Sequence, residues 1–299
     1  MKYISKALIM LLLVLTLAGC GATENANIAA TTMPVYQFTG IICEGTPLTV
    51  TRLITEEVSC VHDYTLTVSQ MRAIESAELV VISGAGLEEF MEEALHNASC
   101  TLDASSGIHL LEGSCHHHEE EAETEEEHHH DHDHETDAHI WLAPENAIRM
   151  AENIRDGLIQ QYPEYAERFR ENTKQLLLQI RQVEDYAKDA LSGLDSREII
   201  TFHDGFGYLA HAFDLTILEA IEEESGSEPS ARELIHLIET VEHHNVCALF
   251  TEANGSSSAA SVISAETGIP VFTLDMAMSG DSWFDAMYHN INTLKEALS

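Results

Sequence analysis

Four side chains in this 299-residue sequence stand where metal chemistry would need them. His62 in SCVHDY, His139 in DAHIWLAPEN, His203 in TFHDGFGY and Asp275 in FTLDMAM each come after an apolar run of strand length, directly or by way of a loop. Three imidazoles and one carboxylate suit tetrahedral Zn2+, with ligand distances of roughly 2.0–2.2 Å. A lone histidine is more often structural, so the signal is the joint placement. Glu252, in FTEANG, is a reserve carboxylate whose plainer role is to support a ligand rather than to bind. A catalytic zinc keeps one position open for water, and four protein ligands leave none. The chain also lacks HExxH and a nucleophile elbow, so it is not expected to be an enzyme.

A second feature is denser but less specific. Residues 116–134 read HHHEEEAETEEEHHHDHDH, eight histidines and nine acids in nineteen positions. His116, His117, His118, His128, His129, His130, His132 and His134 could each bind an ion weakly. The tract has no apolar periodicity, so it cannot pack, and an unpacked segment cannot impose one coordination geometry. It is expected to gather ions near a site built elsewhere, with His139 as the ligand just beyond it. Cys60 and Cys115 lie close enough to candidate ligands to be stray donors. Asp63 and Asp204 are sequence neighbours that could orient imidazoles, and Trp141 and Tyr208 could wall the site or simply pack. His96, His211, His236, His243, His244 and His289 fall on expected helices and read as ordinary helix-face residues.

These side chains need a scaffold that brings distant positions together. LTVTRLI (48–54), ELVVIS (78–83) and GIHLLE (107–112) have strand length, with helical periodicity in 69–77 and 86–98 between them. In 86–98 the apolar residues fall on one face and the acids on the other. After the tract, one helix begins at Pro144 and a long one runs from near Pro163 to Gly193. The alternation then resumes, with strands at 197–202, 216–220, 246–251 and 270–274 and helices at 230–244, 256–268 and the C-terminus. The fold class is therefore α/β: two lobes, each a parallel sheet flanked by helices, joined by one long helix. The expected division is a leader over 1–20 and a tether over 21–30. An N-terminal lobe follows over 31–160, with its His/acid loop at 115–138. The linking helix takes 161–193 and the C-terminal lobe 194–299. In such sheets ligands bind outside the carboxyl ends of the strands, so a cleft between the lobes could close on one ion.

Composition narrows the partners. Fourteen basic against 51 acidic residues give a formal charge of −37. That excess disfavours nucleic acid and anionic lipid surfaces and favours cations. Lys2 and Lys6 precede a short apolar run ending Leu17-Ala18-Gly19-Cys20, which reads as an export signal. The LAGC ending resembles a bacterial lipobox, which would make Cys20 the lipidated first residue of an extracytoplasmic, membrane-anchored protein. Five further cysteines, Cys43, Cys60, Cys100, Cys115 and Cys247, leave at least one thiol unpaired, and the pairing is not readable.

Several stretches then point to one family. SCVHDYTLTVSQMRAIESAELVVISGAGLEEFME resembles the "PHDYEPSPSD…ADLIIYNGAGLEPWLE" stretch of the zinc/manganese family of ABC-importer solute-binding proteins. DAHIWLAPENAIRMAENI resembles its "DPHIWLDPxNA" segment and TFHDGFGYLAHAFDL its "HDAFGYLAxxYGL" segment. EPSARELIHLIE resembles "EPSxxxLxxL", and VFTLDMAM resembles its "LDPL" strand end. The resemblance runs in order from about residue 31 to 299. It implies that His62, His139, His203 and Asp275 are the metal ligands, and that histidine rather than glutamate at 203 marks zinc over manganese. It further implies a monomeric, high-affinity Zn2+ carrier that delivers to an ABC permease and its ATPase. Manganese import and surface adhesion are the alternatives. The chain departs from the pattern at Cys60-Val61, at Ala143 and at Met276-Ala277, which replaces a proline-bearing turn.

Overall fold

A computed structural model describes residues 28–56, 58, 61, 64–112, 136–222, 229–253 and 258–299. The leader, Cys20, most of the tether, Cys60, His62, Asp63, Cys115 and the His/acid tract lie outside the described residues. Among the described residues no helix is long and apolar enough to cross a membrane.

The first lobe holds β1 (Ile28–Ala30), α1 (Met33–Cys43), β2 (Val50–Arg52), α2 (Val68–Ser76), β3 (Leu79–Ile82), α3 (Glu92–Leu95) and β4 (Thr101–Asp103). Helices α4 (Pro144–Gln161) and α5 (Ala166–Ala190) follow. The second lobe holds β5 (Glu198–His203), α6 (Gly207–Ala212), β6 (Thr216–Glu222), α7 (Ala231–His244), β7 (Leu249–Glu252), α8 (Ser258–Thr267), β8 (Val271–Leu274) and α9 (Trp283–Leu298). The sheets have orders β2-β1-β3-β4 and β6-β5-β7-β8, and every pairing is parallel. The two lobes thus repeat one topology. Each has its switch point where the chain leaves a central strand for one side and returns on the other.

Local chemistry explains most boundaries. Thr67 and Ser230 close capping boxes with Gln70 and Glu233, and Pro144 sits in the first turn of α4. Helix α7 stops at Asn245, in the left-handed conformation with φ 54°. Helix α5 is the linking helix expected from the sequence, and its 25 residues span about 38 Å. It buries Phe169, Leu176, Ile180 and Val183 against α1, α4 and α9. Each such burial is worth roughly 1.5–3 kcal/mol. The main apolar core runs through α5 and into both lobes, from Ile28 to Phe250 and Leu294. The lobes are therefore packed through a shared core rather than hung on a bare strut.

The structure corrects three expectations. Ile28–Ala30, placed in the tether, is a fully buried central strand. Small, polar surroundings hid a three-residue strand whose burial comes from its neighbours on both sides. The segment 107–112 is not a strand: β4 lies upstream at Thr101–Asp103, and 107–112 contributes one antiparallel bridge, Glu112 to Thr136. The helix expected over 86–98 is broken into a short turn (Glu89–Met91) and α3. Its start is consumed by Gly84, Ala85 and Gly86, at φ 81°, 57° and 87°, a left-handed run that no helix can include.

That run turns Glu88 inward, against the expectation that the acids face solvent. Glu88 is buried at the β1/β3 switch point. Its carboxylate accepts from the Thr31 hydroxyl at 2.6 Å and from the Ser83 and Gly84 amides at 2.7 and 2.9 Å. The N-terminal lobe thus fills its own switch point with a buried, hydrogen-bonded carboxyl group.

Candidate metal site

His203 is the last residue of β5, on a strand whose residues from Ile199 onward are all buried. His139 stands at the entry to a short turn, Ile140–Leu142, that leads into α4. The two side chains are 2% and 4% exposed, so neither is a surface histidine. Their rings meet edge to face at 90°, with Nε2 atoms 3.4 Å apart. Two nitrogens bound to one zinc at roughly 2.0–2.1 Å and the tetrahedral angle stand about 3.3 Å apart. The pair already has the spacing of two ligands of one ion.

Asp137 sets the orientation of His139. Its Oδ1 accepts from the His139 backbone N–H at 2.8 Å and faces Nδ1 at 2.9 Å. A carboxylate can only accept, so it holds the proton on Nδ1 and leaves the Nε2 lone pair toward His203. Asp137 was not singled out from the sequence. The available signal was Asp two positions before the ligand, the spacing of an Asx turn. Trp141 stands edge-on to His139 at 5.4 Å, so it walls that imidazole. Tyr208 does not: its hydroxyl takes the Leu111 N–H at 2.9 Å and pins the segment leading to the tract. Burial pushes that phenol above its ordinary range.

Asp275 is the first residue after β8 and is half-buried. Asn290 of α9 clamps its backbone, accepting its N–H and donating to its carbonyl, both at 2.7 Å. One carboxylate oxygen accepts from Ala277 N–H at 2.7 Å, which stabilises Ala277 at φ 53°. Glu252 ends β7 and is 4% exposed. Strands β5 and β7 pair in parallel through Thr201 and Phe250, so Glu252 and His203 end neighbouring strands on the same edge of the sheet. His62 lies outside the described residues, but its flanks are anchored. Val61 is fully buried and accepts from Tyr64 N–H at 2.9 Å, while the Tyr64 hydroxyl is held by Glu56 and Gln70. Among the described residues no group of three or more His, Cys, Asp or Glu is gathered closely enough to hold a metal. The described part of the site is the pair His139–His203.

The remaining helix histidines serve elsewhere. His96, His236 and His244 lie near Glu92, Glu219 and Glu198 on the surface, and His289 contacts the Thr273 carbonyl. Cys43, Cys100 and Cys247 are free thiols. Burial raises Cys43 to about 12, so it is inert as a thiolate donor.

The loop after Asp275 is tied to the first lobe. Trp141 Nε1 donates to the Met276 carbonyl at 2.7 Å, and Trp283 Nε1 to the Trp141 carbonyl at 2.9 Å. Arg52 reaches the Gly280 carbonyl at 2.6 Å, and Met33 N–H the Met278 carbonyl at 3.2 Å. The site is therefore built on a braced seam.

Residues 28–297 match the family described as zinc-uptake complex component A, periplasmic (ZnuA). Zinc-binding protein AdcA of Streptococcus pyogenes serotype M3 is 27% identical over 293 residues, covering 92% of this chain and 56% of that protein. The chain thus spans about half the length of the curated relatives it matches. A crystal structure of ZnuA is similar with a TM-score of 0.76 at 26% identity, over 92% of this chain and 100% of that one. The Zn(II)-bound ZnuA-like domain of Streptococcus pneumoniae AdcA gives 0.74 at 26%, over 91% and 98%.

Proposed function

The chain belongs to the zinc-uptake complex component A family, and on that premise we propose that it captures Zn2+ between its lobes and delivers it to an ABC permease. His62, His139, His203 and Asp275 are the four ligands, Asp137 fixes the His139 tautomer, and Glu252 supports His203 from the neighbouring strand. The observation that carries the reading is the 3.4 Å separation of two buried Nε2 atoms from different lobes. Nitrogen donors favour zinc, whereas oxygen-only sets suit Mn2+. The acidic surface raises the local concentration of cations. Cys20 carries the lipid anchor outside the cytoplasm, the protein acts as a monomer, and an ATPase drives release through the permease.

The tract at 116–134 gathers zinc near the cleft but does not form the tight site. Competitive titration of Zn2+ and Mn2+ into the mature protein tests both statements. One tight site with zinc over manganese is expected, with or without the tract. Loss of the tight site on deleting 116–134 would overturn the assignment.

A further inference from the structure

Gly205, two residues beyond His203, has no room for a side chain. A β-carbon there would lie 2.6 Å from Met276 Cε, 2.7 Å from His203 Cδ2 and 2.8 Å from His139 Cε1. The end of the Met276 side chain and both imidazoles therefore converge on the bare face of one glycine. Met276 is 4% exposed, and its backbone is held by the Trp141 indole on its carbonyl. Its neighbour Asp275 is clamped by Asn290. The thioether is thus a fixed wall beside the imidazole pair. In the motifs quoted above, alanine stands at the position of Gly205 and a proline-bearing turn at that of Met276. A methyl group at 205 would crowd the methionine end and both imidazoles alike, so the bare glycine lets all three approach one another.

An apolar wall beside two ligands controls how much water reaches the ion. Zinc is satisfied by four protein ligands, whereas manganese favours oxygen-rich, octahedral surroundings. We propose that Met276 is a specificity-determining residue: it closes one side of the His139–His203 pair to water and so favours four-coordinate Zn2+ over Mn2+. This rests on the capture of Zn2+ proposed above.

The test compares Met276→Ala, which opens the wall, with Met276→Leu, which refills it without sulfur, in competition titrations of Zn2+ against Mn2+. In Met276→Ala the preference for zinc is expected to fall about tenfold, mainly through tighter manganese binding. Met276→Leu is expected to keep the wild-type preference. Met276→Val, which also removes the methyl end, gives the same reading if the alanine variant does not fold. An unchanged preference in the alanine or valine variant overturns the proposal, as does an equal fall in the leucine variant. Failure of the wild-type protein to bind zinc would instead overturn the capture reading beneath it.

Discussion

His139 and His203, 64 positions apart and on different lobes, hold their Nε2 atoms 3.4 Å apart in a buried seam. A four-ligand protein zinc site is worth roughly 10–16 kcal/mol, so one ligand accounts for about 3 kcal/mol, or roughly 100-fold in affinity. His139→Ala and His203→Ala are each expected to lose that much zinc affinity, read by competition with a fluorescent chelator. Wild-type affinity in either variant would remove the pair from the site.

The two carboxylates at the strand ends should separate. Asp275 is assigned as a ligand and Glu252 as a supporting group, so Asp275→Ala is expected to weaken zinc about 100-fold. Glu252→Gln keeps size and loses only charge, and is expected to cost about tenfold. The reverse order in calorimetric titrations would exchange the two roles.

Glu88 gives stability a pH dependence unrelated to the metal. Burial raises its pKa from 4.5 to about 7, although three hydrogen bonds oppose that shift. The fold therefore holds this proton more tightly than the unfolded chain does. The resulting stability is complete below pH 4.5 and is lost as pH rises to about 7. Over that window the unfolding free energy is expected to fall by about 3 kcal/mol from this group. Urea unfolding of Glu88→Gln should lack that part of the slope. Parallel pH profiles for the variant and the wild type would show that Glu88 does not titrate in this range.

The brace between Trp141 and Trp283 can be tested through a single atom pair. Trp283→Phe keeps an aromatic ring but removes the N–H that satisfies the buried Trp141 carbonyl. The expected cost is about 1–3 kcal/mol. Trp283→Ala also removes the contact with Phe38 and should cost about 3–5 kcal/mol. Both are measured by thermal melting of metal-free protein. Equal melting temperatures for wild type and Trp283→Phe would mean that the hydrogen bond is not part of the brace.

The sequence by itself determined the alternation of strands and helices, the linking helix and the ends of the strands where chemistry could sit. Those features depend on local periodicity, caps and glycine or proline stops, which neighbouring residues carry. His139 and His203 were visible for the same reason, as histidines in chemically dense strand-end segments. Asp137 was beside them but unmarked, because an Asp two residues upstream also fits an ordinary turn. Tertiary structure alone decided that Ile28–Ala30 is a central strand, since three apolar residues carry no period until β2 and β3 flank them. It alone turned Glu88 inward, because three consecutive positive-φ residues redirect the chain before the helix can form. It alone placed Met276 against Gly205, 71 positions away by number, because the loops after β5 and β8 meet only once their strands join one sheet, and that packing leaves no mark on either segment read alone.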